Sequence, residues 1–329
     1  MKPRLAALFA AVFLLLATRA ASAAEVVSIA TGAPKNSLWG QVFGVWQEAI
    51  TKKSNGALEL QIFYNGSQGD DATVIGKLKA GQLDAAAVSS VGLSQIYKPI
   101  MALQIPGLFR SWDALDRARD AVQSDLSAGA EAAGFVVTLG DLGKLRTFTM
   151  GFEVRRPSDF NGKKVASWRN DLIGPAFYQS MDKQPTLVPL SLSEVLPALR
   201  TKSIDALGAP TLAAEQLQWT PYFDHMTKGS LVMVMGGMAF SKKRLDSLPG
   251  DLRKMLTDTG AVVQATLRKK VRAEDEAAFD RLSDKMTVVD LSDDEKKAWR
   301  PVFEKAISKL KQDTFDAALV DKLVDLAKE

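Results

Sequence analysis

Hydrophobic and polar positions along the chain switch repeatedly between the period of a strand and the period of a helix. Val26 to Thr31 and Leu58 to Tyr64 are short β-branched or alternating runs, which predict strands. Trp39 to Ser54 and Asp70 to Lys79 place apolar residues at helical spacing, and Leu83 to Ser89 predicts a further strand. This β-α-β-α-β order predicts an α/β fold built on a mostly parallel, doubly wound sheet.

Two segments in different halves of the chain echo each other. LKAGQLDAAAVSS begins at Leu78 and LRTKSIDALGAPT begins at Leu199, and both join the end of a predicted helix to the start of a strand. A repeated unit of this kind predicts two lobes that face one cleft, because doubly wound sheets bind ligands beyond the carboxyl ends of their strands. A chance match is the alternative, since Leu, Asp and Ala are common at such joints.

The first residues of the chain have the layout of a secretory signal peptide. Lys2 and Arg4 precede an apolar run from Leu5 to Ala17, and the small residues Ala21-Ser22-Ala23 follow it. The run is too short to cross a bilayer comfortably, although a retained N-terminal anchor is the alternative. We therefore predict that residues 1–24 are removed and that the mature protein is exported to the periplasm.

Charge and cysteine content narrow the range of functions. The chain has no cysteine, which excludes disulfides, thiol chemistry and lipid attachment through a Cys. Removing the predicted signal peptide takes away three of the 42 basic residues and none of the 38 acidic ones, so the formal net charge falls from +4 to +1. A nucleic-acid partner is therefore not expected. The interleaved charges of KKVRAEDEAAFDRL predict a solvated helix face.

The residues that enzymes most often use are sparse. His225 is the only histidine, and its surroundings PYFDHMTKG predict a surface or packing role. The sequence contains no HExxH, GxSxG or GxxxxGK[ST] motif, and the acidic pairs Asp70-Asp71 and Asp293-Asp294 suit helix starts. We therefore expect no catalytic centre, no cofactor and no metal site. A hydrolase that works without histidine is the alternative.

The segment from Pro157 to Trp219 carries a family resemblance. It contains DFNGKKVAS and SEVLPALRTKSIDALGAP. These segments resemble the sequence motifs DLKGxKIRV and SEVYxALQTGxVDGxEN of the DctP family. This family comprises the periplasmic solute-binding proteins of TRAP transporters. Other segments resemble the family in the same order along the chain, namely YNGSQGDD, KLKAGQLDAA, LQIPGLFRSWDAL, DLGKLRTF and SKKRLDSLPGDLRKMLTDTGAVV.

The resemblance implies a two-lobed binding protein. Such proteins have two doubly wound mixed sheets, crossover strands at a hinge and a long backing helix, here from Pro249 to about Asp284. The first lobe would span 25–147 and be completed by about 239–265. The second would span 148–238 and be completed by 266–329. The implied function is to capture a small molecule by lobe closure and deliver it to a small and a large TRAP membrane subunit, as a monomer or a weak dimer.

Two positions depart from the family wording. In register, the family's carboxylate-binding arginine falls on Ala166 and its supporting asparagine falls on Ala209. An arginine fork holds a carboxylate through two parallel hydrogen bonds that an alanine cannot make. We therefore predict an apolar or amphipathic ligand. The alternatives are an organic-anion receptor in which Arg169 or Arg146 replaces the lost arginine, and a sensor or lipid-handling binding protein.

The predicted ligand-binding residues follow the strand ends and the aromatic side chains near them. Trp168 is the strongest candidate because it stands beside the altered anchor, whereas core packing is the alternative for each aromatic residue. The predicted set is Trp39, Tyr64, Ser89, Ser90, Arg146, Trp168, Arg169, Asn170, Ala209, Pro210, Thr211 and Trp219.

Overall fold

A computed structural model describes residues 24–328, so the predicted signal peptide lies outside the described residues except for Ala24. The first part of the chain has the predicted alternation of strands and helices. Side chains of Ser37 and Asp70 cap the first two helices by accepting hydrogen bonds from the backbone of Gly40 and Thr73. These elements are β1 (Glu25–Thr31), α1 (Leu38–Lys53), β2 (Leu58–Phe63), α2 (Asp71–Lys79) and β3 (Ala85–Ser89).

The middle of the chain crosses from the first lobe to the second and back. Its elements are α3 (Ser90–Ser94), a 3₁₀ helix (Lys98–Gln104), α4 (Trp112–Ala132), β4 (Phe135–Thr149), a 3₁₀ helix (Pro157–Phe160), β5 (Lys164–Trp168), α5 (Gly174–Gln179), β6 (Thr186–Leu190), α6 (Leu192–Arg200), β7 (Ala206–Pro210), α7 (Thr211–Gln216), a 3₁₀ helix (Thr220–Tyr222), β8 (His225–Thr227) and β9 (Val232–Ser241).

The remaining elements are mainly helical. They are α8 (Lys242–Ser247), α9 (Gly250–Ser283), β10 (Thr287–Val289), α10 (Asp293–Asp313) and α11 (Ala317–Leu326). Among residues 24–328, none of the helices combines the length and the apolar character needed to cross a bilayer.

One strand, β4, belongs to both lobes. The strand order is β2-β1-β3-β9-β4-β7-β5-β6, and β8 pairs with β4 and β10. From Phe135 to Leu145, β4 pairs with β9, and from Leu145 to Thr149 it pairs with β7. The two predicted mixed sheets are therefore joined into one continuous ladder, with a bulge in β4 between Asp141 and Gly143 where the chain crosses the hinge.

Apolar side chains cover both faces of the first lobe's sheet. On one face, Trp46 and Ile50 of α1 pack with Leu256 of α9, and on the other face, Ile75 and Leu115 pack from α2 and α4. Each fully buried side chain of this size stabilises the fold by about 1.5–3 kcal/mol. The sheet therefore has the two covered faces that a doubly wound fold requires.

The long helix α9 begins after Pro249 and packs against α1, β4 and α7, so it contacts both lobes, and its extent agrees with the prediction. The prediction of a solvated charged face is wrong for Asp275, which is only 1% exposed. Its carboxylate accepts hydrogen bonds from the backbone N–H of Lys144, at 2.8 Å, and of Leu212, at 3.0 Å. The two N–H groups offset part of the cost of burying this carboxylate.

The two C-terminal helices divide between the lobes. Helix α10 packs against α5 and the 157–160 turn in the second lobe. Helix α11 packs instead against α4 and the 98–104 turn, where Phe315, Val320 and Leu323 enter the core of the first lobe. The assignment of part of the long helix and the C-terminal helices, about 266–329, to the second lobe stays a prediction, although Phe315, Val320 and Leu323 pack in the same core as α4.

Candidate ligand-binding cleft

The carboxyl ends of the parallel strands of the two lobes approach each other across the hinge. The backbone N–H of Leu38, at the start of α1, donates a hydrogen bond of 3.1 Å to Oε1 of Gln216 in the second lobe. After β1, Gly32 lies so close to α6 that an added Cβ would come within 2.8 Å of Cδ2 of Leu192. The two lobes are thus in direct contact at these points.

Trp39 lies at this contact between lobes. Leu38 and Trp39 of the first lobe pack against Leu212 of the second, beside Val271 and Ala278 of the long helix. Trp39 is only partly buried, so it can contact both the opposite lobe and a molecule held between the lobes.

The altered family positions form part of an apolar wall in the second lobe. Ala166 and Trp168 of β5 pack against the cluster that includes Ala209 of β7 and Trp219. The rings of Trp168 and Trp219 have their centroids 6.1 Å apart, and Ala209 is 1% exposed. Trp219 is buried and Trp168 only partly buried, so Trp168 has the more accessible ring of the two.

Arg146 is buried and fully engaged within the protein. Its Nε donates to Oγ1 of Thr211 at 3.2 Å, its Nη1 donates to the carbonyl of Lys228, and its Nη2 lies 3.4 Å from Oε2 of Glu276. The guanidinium also sits 4.0 Å from the centre of the Phe279 ring. Burial lowers the pKa of Arg146, although arginine stays charged in proteins. The hydroxyl of Thr211 is occupied by the same contact.

Arg169 lies at the rim of the second lobe and is paired there. Its Nη2 is 2.8 Å from Oε1 of Glu194, and its side chain is about half exposed. Across the cleft, hydrogen bonds from Thr73 lower the pKa of Asp70, and the positive charge of Arg169 adds to the effect. The next residue, Asn170, is exposed in a left-handed turn with φ of +62°. Arg169 is therefore surrounded by acidic groups of both lobes.

Ser89 and Ser90 have partners inside the first lobe. The hydroxyl of Ser89 donates to the carboxylate of Asp71, and the hydroxyl of Ser90 accepts from Nε2 of Gln104. Burial raises the pKa of Asp71. These contacts fix the start of α3, which leaves the serines less free to orient a ligand than the sequence suggested.

Tyr64, at the carboxyl end of β2, has a polar group with no such partner. Its hydroxyl is buried and forms no hydrogen bond with any residue from 24 to 328. Burial also raises the pKa of Tyr64. Leaving a buried hydroxyl unpaired costs about 1–3 kcal/mol, so a bound molecule that satisfies it gains correspondingly.

Sequence reasoning missed the residues that bring the lobes together. Leu192 had a visible signal, because it follows Ser191 in the capping box SLSE that starts α6. Gln216 and Glu276 had no such signal, since their partners lie far away in the sequence.

His225 contacts the neighbouring Asp224, with Nδ1 and Oδ1 2.7 Å apart. Over the described part of the chain, no three acidic or histidine side chains converge as a metal site.

The sequence model DctP, for bacterial extracellular solute-binding protein family 7, matches residues 29–313. The chain belongs to this family. A solute-binding protein of Chromohalobacter salexigens is 25% identical over 169 residues, which cover 50% of this chain and 49% of the relative. The 2,3-diketo-L-gulonate-binding periplasmic protein YiaO of Escherichia coli is 22% identical over 70% of each chain. The chain thus spans about half the length of the first relative and more of the second.

Solved structures of solute-binding proteins share the fold. The sugar acid binding protein DctPAm of Advenella mimigardefordensis, in complex with galactonate, superposes with a TM-score of 0.86 at 21% identity, covering 93% of this chain and 98% of that one. A TRAP periplasmic solute binding protein of Shewanella oneidensis with bound succinate gives 0.84 at 20% identity, covering 93% and 100%. The likeness confirms the two-lobed α/β fold.

Proposed function

We propose that this family 7 protein is the solute receptor of a TRAP transporter and that its ligand is a mainly apolar or amphipathic molecule with few polar groups. The observation that carries this proposal is the distribution of polar groups at the cleft. Arg146 and Arg169 each already pair with a carboxylate of the protein, Glu276 and Glu194 respectively. The side chains of Ala166 and Ala209 offer no hydrogen bond, and the hydroxyl of Tyr64 has no partner among the described residues. A ligand with an apolar body and one hydrogen-bonding group fits this distribution.

Apolar contact can provide most of the free energy that closing the lobes requires. Shifting a two-state equilibrium from about 1:99 to 99:1 requires about 5.5 kcal/mol of differential affinity. Burying roughly 200 Å² of apolar surface between the lobes supplies about 5 kcal/mol before ordering costs. A ligand that contacts Trp168 on one lobe and Trp39 on the other would favour the closed state without an arginine.

The proposal also includes location and partners. Removal of residues 1–24 on export would place the protein in the periplasm, the compartment named for YiaO. The closed receptor would then dock on the small and large membrane subunits of its transporter. Binding and release, with no chemical conversion of the ligand, complete its task.

Mass spectrometry under native and denaturing conditions tests the ligand class. Protein produced with its signal peptide and purified from the periplasm should carry, and release on denaturation, a neutral or amphipathic molecule. Replacing Tyr64 by Phe should weaken its binding by about tenfold, the loss of one hydrogen bond to a buried group. Tyr222→Phe is the matched control, because that hydroxyl bonds to Arg200 on the surface. Release of small dicarboxylates alone would contradict the proposal.

A second candidate is a receptor for organic anions. It is favoured by the similar structures, which hold galactonate, succinate and, in a Bordetella pertussis receptor, pyroglutamic acid. In such a receptor, Arg169 or Arg146 would release its carboxylate partner in the protein and pair with a carboxylate of the ligand. Calorimetric titration with succinate and galactonate should give no heat of binding if the ligand is apolar. Tight binding that is lost in Arg169→Ala or Arg146→Ala, but kept in Arg200→Ala, would establish the anion receptor instead.

A further inference from the structure

The first half of β4 is an open edge of the sheet. Phe135 to Asp141 pair with β9 on one side, whereas β7 and β8 pair only with residues from Leu145 onward. Within the described residues, no strand pairs with the other side of this half. Open edges carry unpaired backbone donors and acceptors, which is why proteins usually cover them.

The hydrogen-bond pattern identifies which backbone groups point outward. The N–H of Lys242 donates to the carbonyl of Gly134 at 2.9 Å, so these two residues form a hydrogen-bonded pair. Because such pairs alternate in an antiparallel ladder, Val136 and Thr138 also point their backbone groups towards β9. Val137 and Leu139 therefore direct their N–H and C=O groups to the free edge.

This edge forms the floor of a groove of about 880 Å³ between α4 and α9, which we call the edge groove. Val137 and Leu139 line it, as do Trp112 and Gln123 from α4 and Gln264 from α9. Helices flank this strand edge on both sides, and Val137 and Leu139 on the floor of the groove are only 9% and 6% exposed. A single extended segment fits such a site better than a rounded molecule, because its own backbone can continue the ladder.

The wall formed by α9 is basic. Arg268, Lys269 and Arg272 line it, and Glu276 is the one carboxylate in the lining. Arg272 is balanced by Asp116 and Asp141, with contacts of 2.7 Å and 2.6 Å. No ion pair in the described chain engages Arg268 or Lys269. The groove therefore retains positive charge beside a strand edge.

We infer that the edge groove binds an extended acidic segment of a partner protein, which adds to β4 as a further strand. Main-chain hydrogen bonds to Val137 and Leu139 would supply affinity, and carboxylates of the segment would lie against Arg268 and Lys269. The inference goes beyond the proposed function and does not depend on the ligand, because none of the predicted ligand-binding residues lines the edge groove.

A labelled peptide of about six residues that alternates glutamate and valine is a suitable probe, since strands of this length are typical. Fluorescence anisotropy with the chain lacking residues 1–24 should show saturable binding. The double variant Arg268→Glu/Lys269→Glu should weaken it by about tenfold or more. Lys270→Glu is the matched control, because this exposed lysine of the same helix does not line the groove and its charge change should have little effect.

Backbone methylation distinguishes strand addition from simple charge attraction. One peptide carries N-methyl groups on its glutamates and another on its valines. In a strand only alternate N–H groups face the protein, so one of the two peptides should lose binding while the other keeps it. Equal binding of both methylated peptides, or of a lysine-valine peptide, would overturn the inference. The inference would also be overturned if sedimentation experiments showed that the protein dimerises and that the peptide inhibits this. The occupant of the edge would then be a second copy of this chain.

Discussion

The cleft and the hinge use charged residues in opposite ways. In the cleft, alanines stand where the sequence analysis placed the family's anchor residues, and Ala166 and Trp168 are partly buried against the apolar cluster of the second lobe. At the hinge, β4 and α9 are connected by buried polar contacts, including Asp141 with Arg119 and Asp275 with the backbone of Lys144. Charges with fixed partners hold one geometry, whereas an apolar wall adapts to the shape of what it binds. The hinge therefore determines how the lobes meet, and the cleft determines which molecule they enclose.

The comparison leads to a general expectation. Variants at the hinge should change the stability of the fold and leave the class of ligand unaltered. Variants in the cleft should change ligand binding and leave the stability of the fold unaltered. Four substitutions test this separation, and their expected effects decrease in the order given.

Asp141→Ala should have the largest effect. The Asp141 carboxylate is 0% exposed and pairs with Arg119 at 2.7 Å, and Arg119 is itself 1% exposed. Removing it would leave the buried guanidinium with only Asp116, 3.4 Å away, and would also take a partner from Arg272, at a cost of about 3–5 kcal/mol in the free energy of unfolding. Urea unfolding measures this loss. Asp293→Ala, which removes a 91% exposed carboxylate, should change stability by less than about 0.5 kcal/mol. Equal effects would contradict the role given to the hinge.

Gly143→Ala should follow. Gly143 has φ of +126°, and an added Cβ would lie 2.6 Å from Oδ1 of Asp275. Backbone strain and this clash together should lower the free energy of unfolding by about 3 kcal/mol. Gly162→Ala is the matched control, since Gly162 also has positive φ, at +70°, but open space around it. A loss no greater than that of the control would show that the contact with Asp275 relaxes easily.

Trp168→Ala tests the cleft. Removing a partly exposed ring from the apolar wall should reduce affinity for the co-purified ligand by about 2 kcal/mol, or roughly thirtyfold. Trp112→Ala is the control, because Trp112 lies on α4 beside Arg272 and away from the cleft. Displacement of the ligand followed by native mass spectrometry compares the two. If Trp112 matters as much as Trp168, the ligand does not lie at this wall.

Asp275→Asn should give the smallest effect, and one that depends on pH. Burial raises the pKa of Asp275 above its ordinary 3.8 in the folded state. Its stabilising contribution is then fully present below that value and is lost as pH rises through the raised pKa. The stability of the wild type relative to Asp275→Asn should therefore fall as pH rises through this window. Urea unfolding at a series of pH values measures the difference, and a constant difference would contradict the assignment.

The sequence was a good guide to the fold because local patterns carry it. Periodicity placed β1 and α1 close to their observed ends, and the family resemblance did so for α9. It was a weaker guide to the packing of charged residues. Asp275 looked solvated because its two partners are backbone groups more than 60 residues away, which no periodicity reveals.

The candidate site shows the same limit. The positions of Ala166, Ala209 and Trp168 on one wall followed from the family register, and the structure places them in a common cluster. The sequence could not indicate that Arg146 is occupied by Glu276 and Phe279, because that contact depends on where the long helix crosses β4. Nor could it show that α11 returns to the first lobe, since its apolar face would suit either core.

The sharing of β4 between the lobes has a mechanical consequence. Ladder bonds hold Phe135 to Leu145 to β9, apart from the bulge between Asp141 and Gly143, and hold Leu145 to Thr149 to β7, so neither end can slide. We therefore expect opening to twist the backbone at the bulge between Asp141 and Gly143, which already departs from regular geometry, and not to break the ladder on either side of it. A ligand that closes the lobes would then work against the resistance of this short segment, which lies beside the carboxylate of Asp275.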